Sequence, residues 1–184
     1  MSALGALEAA DLCGGHCWVE RRLFEVLGAW SLAASAPVTV VLLDRHSQHA
    51  AWRAGQWWER LPVRAGVERE ELVVAPAGWE GALGAAGSRI PPPGGDPALL
   101  WVVHRVLLAR LATRYRRHQE RVGPLADAPT ARTLLQVLAD VRSDGDEGRA
   151  ALEELMGDRE DLESASSAGV GVESAFVVGY GEQA

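Results

Sequence analysis

Residues 13–30 read CGGHCWVERRLFEVLGAW, and this stretch has the period of an amphipathic helix with one acid on its apolar face. That acid is Glu20. The side chains that share its face are Cys13, His16, Cys17, Leu23, Phe24, Leu27 and Trp30. Burying a lone carboxylate costs free energy unless the group gains a partner, a proton or a metal ion. The stretch therefore predicts a core helix with a polar site inside the core.

The rest of the sequence predicts further long helices separated by proline and glycine. The expected ranges are 6–35, 37–61, 96–121 and 127–142, with a short helical extension over 149–157. Pro37 suits the first turn of a helix, and Asp96 and Asp127 both have the pattern of an N-cap. The sequence SDGDEG at 143–148 is expected to interrupt or end the fourth helix.

The same period predicts which side chains of the later helices point inward. For the second helix they are Val38, Leu42, Arg45 or His46, His49, Trp52 and Gln56. For the third helix they are His104, Leu107, Leu108, Leu111, Tyr115 and His118. For the fourth helix they are Leu134, Val137, Leu138 and Val141.

Residues 62–95 are rich in glycine and proline and lack clear periodicity, which indicates a long link between the second and third helices. A link of this length is reasonable if those two helices are parallel, because the chain must then travel back along the bundle. We expect one helical domain over residues 1–157. Residues 158–184 are acidic and then rich in serine and glycine, which predicts a flexible C-terminal tail in which residues 176–178 dock.

Two helical hairpins joined by a long crossover are the plan of ferritin-like proteins. Over roughly residues 6–157 this chain resembles that superfamily, on the order of its elements and on Glu20, His46 and His49. The resemblance implies an all-α, ferritin-like, up-down-down-up four-helix bundle with its long crossover between helices 2 and 3. It also implies a metal site in the core of the bundle.

The ferritin-like di-metal plan takes a Glu from each of two helices and a Glu-x-x-His motif from each of the other two. Glu20 matches the first Glu and His49 the first His, but His46 stands where a Glu is expected. The third helix offers His104 and no inward carboxylate, and Asp140 on the fourth has no His three residues later. The bridging carboxylates are missing, so the resemblance implies a degenerate di-metal site.

The position of each residue along the bundle axis indicates which candidate metal ligands can lie close together. Glu20 lies sixteen residues before Ala36 and His49 thirteen after it, a mismatch of only ~5 Å at 1.5 Å per residue. The candidate metal ligands near this level are Glu20, His46, His49, His104, Asp140 and Asp144. Histidine and carboxylate ligands suit iron, manganese or zinc. The simplest alternative is that Glu20 and His49 pair with each other across the first hairpin without any metal.

Three functional interpretations remain open. The first is a non-catalytic or weakly metal-binding bundle, in which case the chain is not an enzyme. The second, implied by the resemblance, is a metal-dependent oxidase or hydroxylase related to ferritin-like tRNA-modifying enzymes. The third is a four-helix protein of the DinB type, in which His46, His49 and His104 imitate a triad of histidine ligands. The sequence does not name a small-molecule substrate.

Charge and composition limit the partners. The net charge of −7 over 184 residues argues against general binding to nucleic acid or to an anionic membrane. The first residues lack a secretory pattern and no apolar run can cross a bilayer, which predicts a cytoplasmic protein. All 18 basic residues are Arg, as in a high-GC bacterium. The stripe Arg110, Arg114, Arg117 and Arg121 is therefore interpreted as a solvated flank that pairs with Glu and Asp, and the alternative is a nucleic-acid groove or a phosphate patch.

Tryptophans crowd one end of the second helix, at Trp52, Trp57 and Trp58, and Trp79 lies in the crossover. Tryptophan offers a large contact area with a polar tip, as interfaces require. Either the crossover folds over these rings or they form the seam of a homodimer, which is the partner we expect. Cys13 and Cys17 are expected to be reduced core residues rather than metal ligands.

Overall fold

The computed structural model describes residues 4–63, 65–88, 94–123, 125–157 and 159–181. Within these ranges the chain forms helices and no β-strand, which confirms the all-α prediction. The α-helices are α1 (Ala6–Ala33), α2 (Pro37–Trp58), α3 (Trp79–Gly87), α4 (Gly95–Trp101), α5 (Leu108–Gln119), α6 (Ala128–Leu155) and α7 (Arg159–Gly181). A π-helical segment, Val102–Leu107, joins α4 directly to α5, and a 3-10 turn covers Arg69–Leu72.

Helices α1 and α2 form an antiparallel hairpin. The Ser47 hydroxyl of α2 donates a hydrogen bond of 2.9 Å to the carbonyl of Phe24 in α1. The carboxylate of Asp96 accepts hydrogen bonds from the backbone N–H groups of Ser35 and Ala36, the shortest at 2.6 Å. Asp96 therefore fixes the α1–α2 turn, and the prediction that it is the N-cap of its own helix is wrong, because Gly94 holds that position.

The long helix α4–α5 pairs with α6, and the inward positions predicted for the third and fourth helices are all buried. Asp127 caps α6 as predicted, accepting from the N–H of Thr130 at 3.1 Å. The predicted interruption over 143–148 is wrong, since α6 continues without a break to Leu155. Asp144 and Gly148 face the core from this stretch, so tertiary contacts outweigh its poor helix propensity.

The buried face of α2 differs from the predicted one. Leu42 and His46 are buried as predicted, but Trp52 is 46% exposed and Arg53 is fully buried. Hydropathy assigns an arginine to the surface, so the sequence pattern placed Arg53 outside and predicted the wrong buried face for this part of α2. The polar core of the protein is built around this misassigned residue.

Helix α7 replaces the flexible tail that the sequence predicted, and that prediction is wrong for residues 159–181. Phe176 is 1% exposed and meets Trp79 edge-to-face, with ring centroids 5.0 Å apart. Gly78, at φ 77°, permits this contact, because a Cβ there would lie 2.9 Å from the carbonyl oxygen of Phe176. Thus α3, in the crossover, and α7 cover each other. The docking of Phe176 was predicted correctly.

Some sequence predictions lie outside the described residues: the proline run 91–93, Pro124 in the turn before α6, the side chain of Val178, and residues 182–184. Among the helices that the structure describes, none is both long enough and apolar enough to span a membrane.

Candidate metal centre

The buried acid Glu20 pairs with an arginine. Its Oε1 accepts hydrogen bonds from Arg53 Nε at 2.7 Å and from the Tyr115 hydroxyl at 2.5 Å. The Tyr115 oxygen in turn accepts from the indole N–H of Trp57 at 2.9 Å. Glu20 and Arg53 are both fully buried. The interpretation that Glu20 pairs with His49 is therefore wrong.

Arg53 also bridges to α6. Its Nη1 donates to Asp140 and, at 2.8 Å, to Oδ2 of Asp144, so one guanidinium lies among three carboxylates. Burial raises the pKa of Glu20, and the charge and hydrogen bond of Arg53 oppose that rise. We call this set, Glu20, Arg53, Tyr115, Asp140 and Asp144, the Arg53 network. It compensates buried negative charge with a cation that belongs to the chain itself.

One or two helical turns before Arg53 along α2, two histidines meet the other oxygen of Asp144. His49 Nδ1 lies 2.7 Å from Asp144 Oδ1, and His46 Nε2 lies 3.4 Å from the same oxygen. The three ligand atoms all fall within 4.8 Å of one another. Donor atoms that share a first-row metal ion at about 2.1 Å stand about 3–3.5 Å apart. The His46–Asp144 spacing of 3.4 Å falls in this range, whereas the His49–Asp144 distance of 2.7 Å is that of a hydrogen bond, which a metal ion would replace.

The protonation states of His46 and Asp144 suit a metal. Burial lowers the pKa of His46, against the opposing effect of the Asp144 charge, so the imidazole is neutral at pH 7. Burial acts to raise the pKa of Asp144, but its electrostatic interactions with His46 and Arg53 and its hydrogen bonds with His49 and Arg53 outweigh that effect and hold the pKa below its ordinary value. Metal ligands must be neutral imidazole and ionised carboxylate, and both are present before any ion arrives.

A second acid of α6, Glu147, contacts His46 at the edge of this cluster. Its Oε2 lies 3.3 Å from His46 Nε2, and it also forms an ion pair with Arg45. The Glu147 and His49 side chains are 39% and 35% exposed, so the centre opens to solvent on their side. Sequence reasoning missed Glu147. The pattern Asp144-x-x-Glu147 opposite His46-x-x-His49 is the signal for it, and the expected break in α6 concealed that pattern.

His104 lies beside the centre on the side of α4, and its buried ring nitrogens lack hydrogen-bond partners among the described residues. The ring is only 7% exposed. It lies in the π-helical segment, edge-on to His46 with ring centroids 5.2 Å apart. Short π-helical segments occur frequently at functional sites. Burial and the neighbouring His46 lower the pKa of His104 to about 3.

Gly148 on α6 provides the space for the His104 ring. A Cβ at this position would lie 2.1–2.2 Å from atoms of that ring, closer than van der Waals contact permits. A close approach of this kind requires a residue without a side chain.

The six residues predicted as ligands thus divide into two groups. His46, His49 and Asp144 converge on one point, with His104 beside His46. Glu20 and Asp140 belong to the Arg53 network, in which Asp144 also takes part. Comparison with family models, with curated proteins and with solved structures finds no match for this chain.

Proposed function

We propose that this protein is a ferritin-like helical bundle that binds one divalent transition-metal ion through His46, His49 and Asp144. In this proposal Arg53 occupies the place of a second cation, so the di-metal plan is reduced to a mononuclear one. The observation that carries the proposal is the convergence of two imidazole nitrogens and a carboxylate oxygen within 4.8 Å at a solvent-accessible edge of the core.

The ferritin-like part of the proposal is supported by the order of the helices. A short turn joins α1 to α2, a long segment leads to α4–α5, and a short turn leads to α6. Glu20 on α1 and Asp140 and Asp144 on α6 all approach α2 at one level, where ferritin-like proteins collect their ligands.

Metal titration of the full chain tests the proposal. Isothermal titration calorimetry with Zn²⁺ and Mn²⁺, and with Fe²⁺ under anaerobic conditions, should give one ion per chain for at least one metal. His49→Gln should weaken binding roughly tenfold or more, because it removes a ligand from a site of few ligands. His49 is partly exposed, so this variant is expected to fold. Asp144 is a poorer target, because its loss also breaks the Arg53 network.

Asp146→Asn is the matched control. Asp146 lies on α6 two residues from Asp144, has a 69% exposed side chain and pairs with Arg149 instead of the histidines. It should leave metal affinity unchanged. Failure to bind any of the three metals, or equal losses in the His49 and Asp146 variants, would contradict the proposal and leave a hydrogen-bonded core without a metal.

The ligand set favours one further candidate function. Two histidines and one carboxylate with open positions are the donors of non-haem Fe²⁺ oxygenases. This set supports the alternative of a metal-dependent oxidase or hydroxylase. If the Fe²⁺-loaded protein consumes oxygen faster than Fe²⁺ with the His49→Gln variant, the oxidase is favoured; if the rates are equal, the non-catalytic binding protein stands.

A further inference from the structure

A second polar site lies in a cleft of about 430 Å³ bounded by α1, α3, α5 and α7. Apolar side chains, Leu12, Trp79 and Phe176, form part of its wall. The four arginines of the α5 stripe and its continuation, Arg110, Arg114, Arg117 and Arg121, also line it, together with His118. Two members of the stripe pair with glutamates, as the sequence predicts, but the stripe is more than a solvated flank. It is one wall of a cavity large enough for a small molecule.

The arginines of the cleft have different partners. Arg110 pairs with Glu173 of α7, and Arg121 pairs with Glu8 of α1. Arg114 donates through Nε to His16 Nδ1 at 3.1 Å. Arg117 forms no ion pair with any residue that the structure describes. Its positive charge is thus available to an anion that enters the cleft.

A chain of hydrogen bonds determines which ring nitrogen of His118 carries the proton. Arginine is always protonated, so the Arg114 contact makes His16 Nδ1 an acceptor. Burial and the Arg114 charge lower the pKa of His16 well below its ordinary value, so the ring is neutral and its single proton lies on Nε2. That nitrogen lies 3.0 Å from His118 Nδ1 and donates to it.

His118 is neutral for the same physical reasons: burial and the Arg114 charge lower its pKa to about 4. Because its Nδ1 accepts from His16, its own proton lies on Nε2, which makes Nε2–H a donor. This nitrogen is buried in a side chain that is only 1% exposed, and it has no hydrogen-bond partner among the described residues. A buried donor without a partner costs free energy that an acceptor on a ligand would recover.

We infer that the cleft binds a small-molecule oxyanion, a phosphate or a carboxylate, that accepts hydrogen bonds from His118 Nε2–H and Arg117 while its apolar part packs against Phe176 and Trp79. Arg114 serves as a positioning residue, because it sets the tautomers of His16 and His118. The cleft lies at the other end of the polar core from His46 and His49, and the inference stands independently of metal binding.

Two measurements on the full chain test this inference. Isothermal titration calorimetry with inorganic phosphate, pyrophosphate and benzoate measures binding and separates the phosphate and carboxylate alternatives. Long-range ¹H–¹⁵N spectra of the histidine rings report the tautomers of His16 and His118 directly, and the His118 Nε2 resonance should shift when a binding anion is added. The expected result is one anion per chain, bound at millimolar concentration or below.

Arg117→Gln should weaken binding about tenfold, because it removes a charge-assisted hydrogen bond from an exposed position that the fold does not need. Arg116→Gln is the control, since Arg116 is the neighbouring exposed arginine and does not line the cleft. The inference would be overturned if none of the three anions binds, or if His118 carries its proton on Nδ1. It would also be overturned if Arg117→Gln leaves affinity unchanged, or if both variants lose affinity equally. Preference for phosphate or for benzoate would support it and identify the ligand class.

Discussion

Two pairs of histidines lie in the core of this protein, and their surroundings have opposite charge. His46 and His49 face Asp144 and Glu147, whereas His16 and His118 face Arg114. The Arg53 network lies between them, linked to the second pair by Tyr115, whose ring meets the His16 ring edge-to-face with centroids 4.8 Å apart. Beside carboxylates, a neutral imidazole has lone pairs that it can offer to a cation. Beside arginines, it has an N–H that it can donate to an anion.

The comparison indicates that the charged groups around a histidine determine which kind of ligand it can bind. In the acidic pair the nitrogens share an acceptor oxygen and can all coordinate, so an ion would satisfy them together. In the basic pair the nitrogens form a directed chain of hydrogen bonds that ends at an N–H without a partner in the described part of the chain. Four variants and conditions separate these two regions, and they are taken from the largest expected effect to the smallest.

Removing the guanidinium between the two pairs should have the largest effect. Arg53→Met leaves Glu20, Asp140 and Asp144 without their shared cation in the core, and should lower the free energy of unfolding by about 3–5 kcal/mol. Urea denaturation monitored by tryptophan fluorescence measures this. Arg117→Met in the basic cleft is the control and should change stability by less than about 0.5 kcal/mol. Equal effects would mean that the Arg53 network does not hold the core together.

The wall of the basic cleft depends on Phe176. Phe176→Ala removes a buried ring that packs on Trp79 and should lower the free energy of unfolding by about 3 kcal/mol. It should also detach α7 enough to increase proteolysis there. Val177→Ala, at a neighbouring position that is 67% exposed, should be close to neutral. A neutral Phe176 variant would indicate that α7 does not pack as described.

The region of the acidic pair depends on the space that Gly148 leaves for the His104 ring, which lies beside His46. Gly148→Ala forces the His104 ring to move and should lower the free energy of unfolding by about 1–3 kcal/mol, measured by thermal or urea denaturation. Gly145→Ala on the same helix meets no atom within 4 Å and should instead stabilise the protein by about 0.5–1 kcal/mol. If both variants stabilise, the close packing of His104 against α6 is wrong.

The basic pair should make stability depend on pH. The pKa of His118 is about 4 in the folded protein and about 6.5 when unfolded, so the unfolded state binds the proton first as the pH falls. Its contribution is fully present above pH ~6.5 and is lost toward pH ~4, at about 1.4 kcal/mol per pH unit. The groups that face it are His16, Arg114, Asp127 and Arg121.

Carboxylates also titrate in this window, so the measurement is the difference between the native chain and His118→Gln. Urea denaturation at a series of pH values should give a shallower pH slope for the variant. Parallel slopes would contradict a neutral, buried His118.

Much of the fold follows from periodicity. Apolar residues on the long helix α4–α5 and on α6 recur at the helical spacing and are buried, as at Leu107, Leu111, Val137 and Val141. The same holds for most of the face predicted on α1, but Phe24 is 41% exposed and that prediction is wrong. Periodicity failed at Arg53, because a hydropathy pattern has no means of marking a charged residue as buried when its partners are distant in sequence. It failed again at 143–148 and after 158, where packing of Asp144, Gly148 and Phe176 stabilises helices of poor intrinsic propensity.

By itself the sequence determined the all-α class, the turns at Pro37 and Asp127, and the presence of an acid and several histidines on inward faces, because these features depend on local spacing. Only the tertiary structure decided which of those polar groups meet. Glu20 pairs with Arg53 instead of His49, and Asp144 contacts both His46 and His49. His16 forms a hydrogen bond with His118, which lies 102 residues later in the chain. Contacts between distant helices depend on how each helix is rotated against its neighbours. A shift of a single residue position, as from Trp52 to Arg53 on α2, changes which side chains meet in the core.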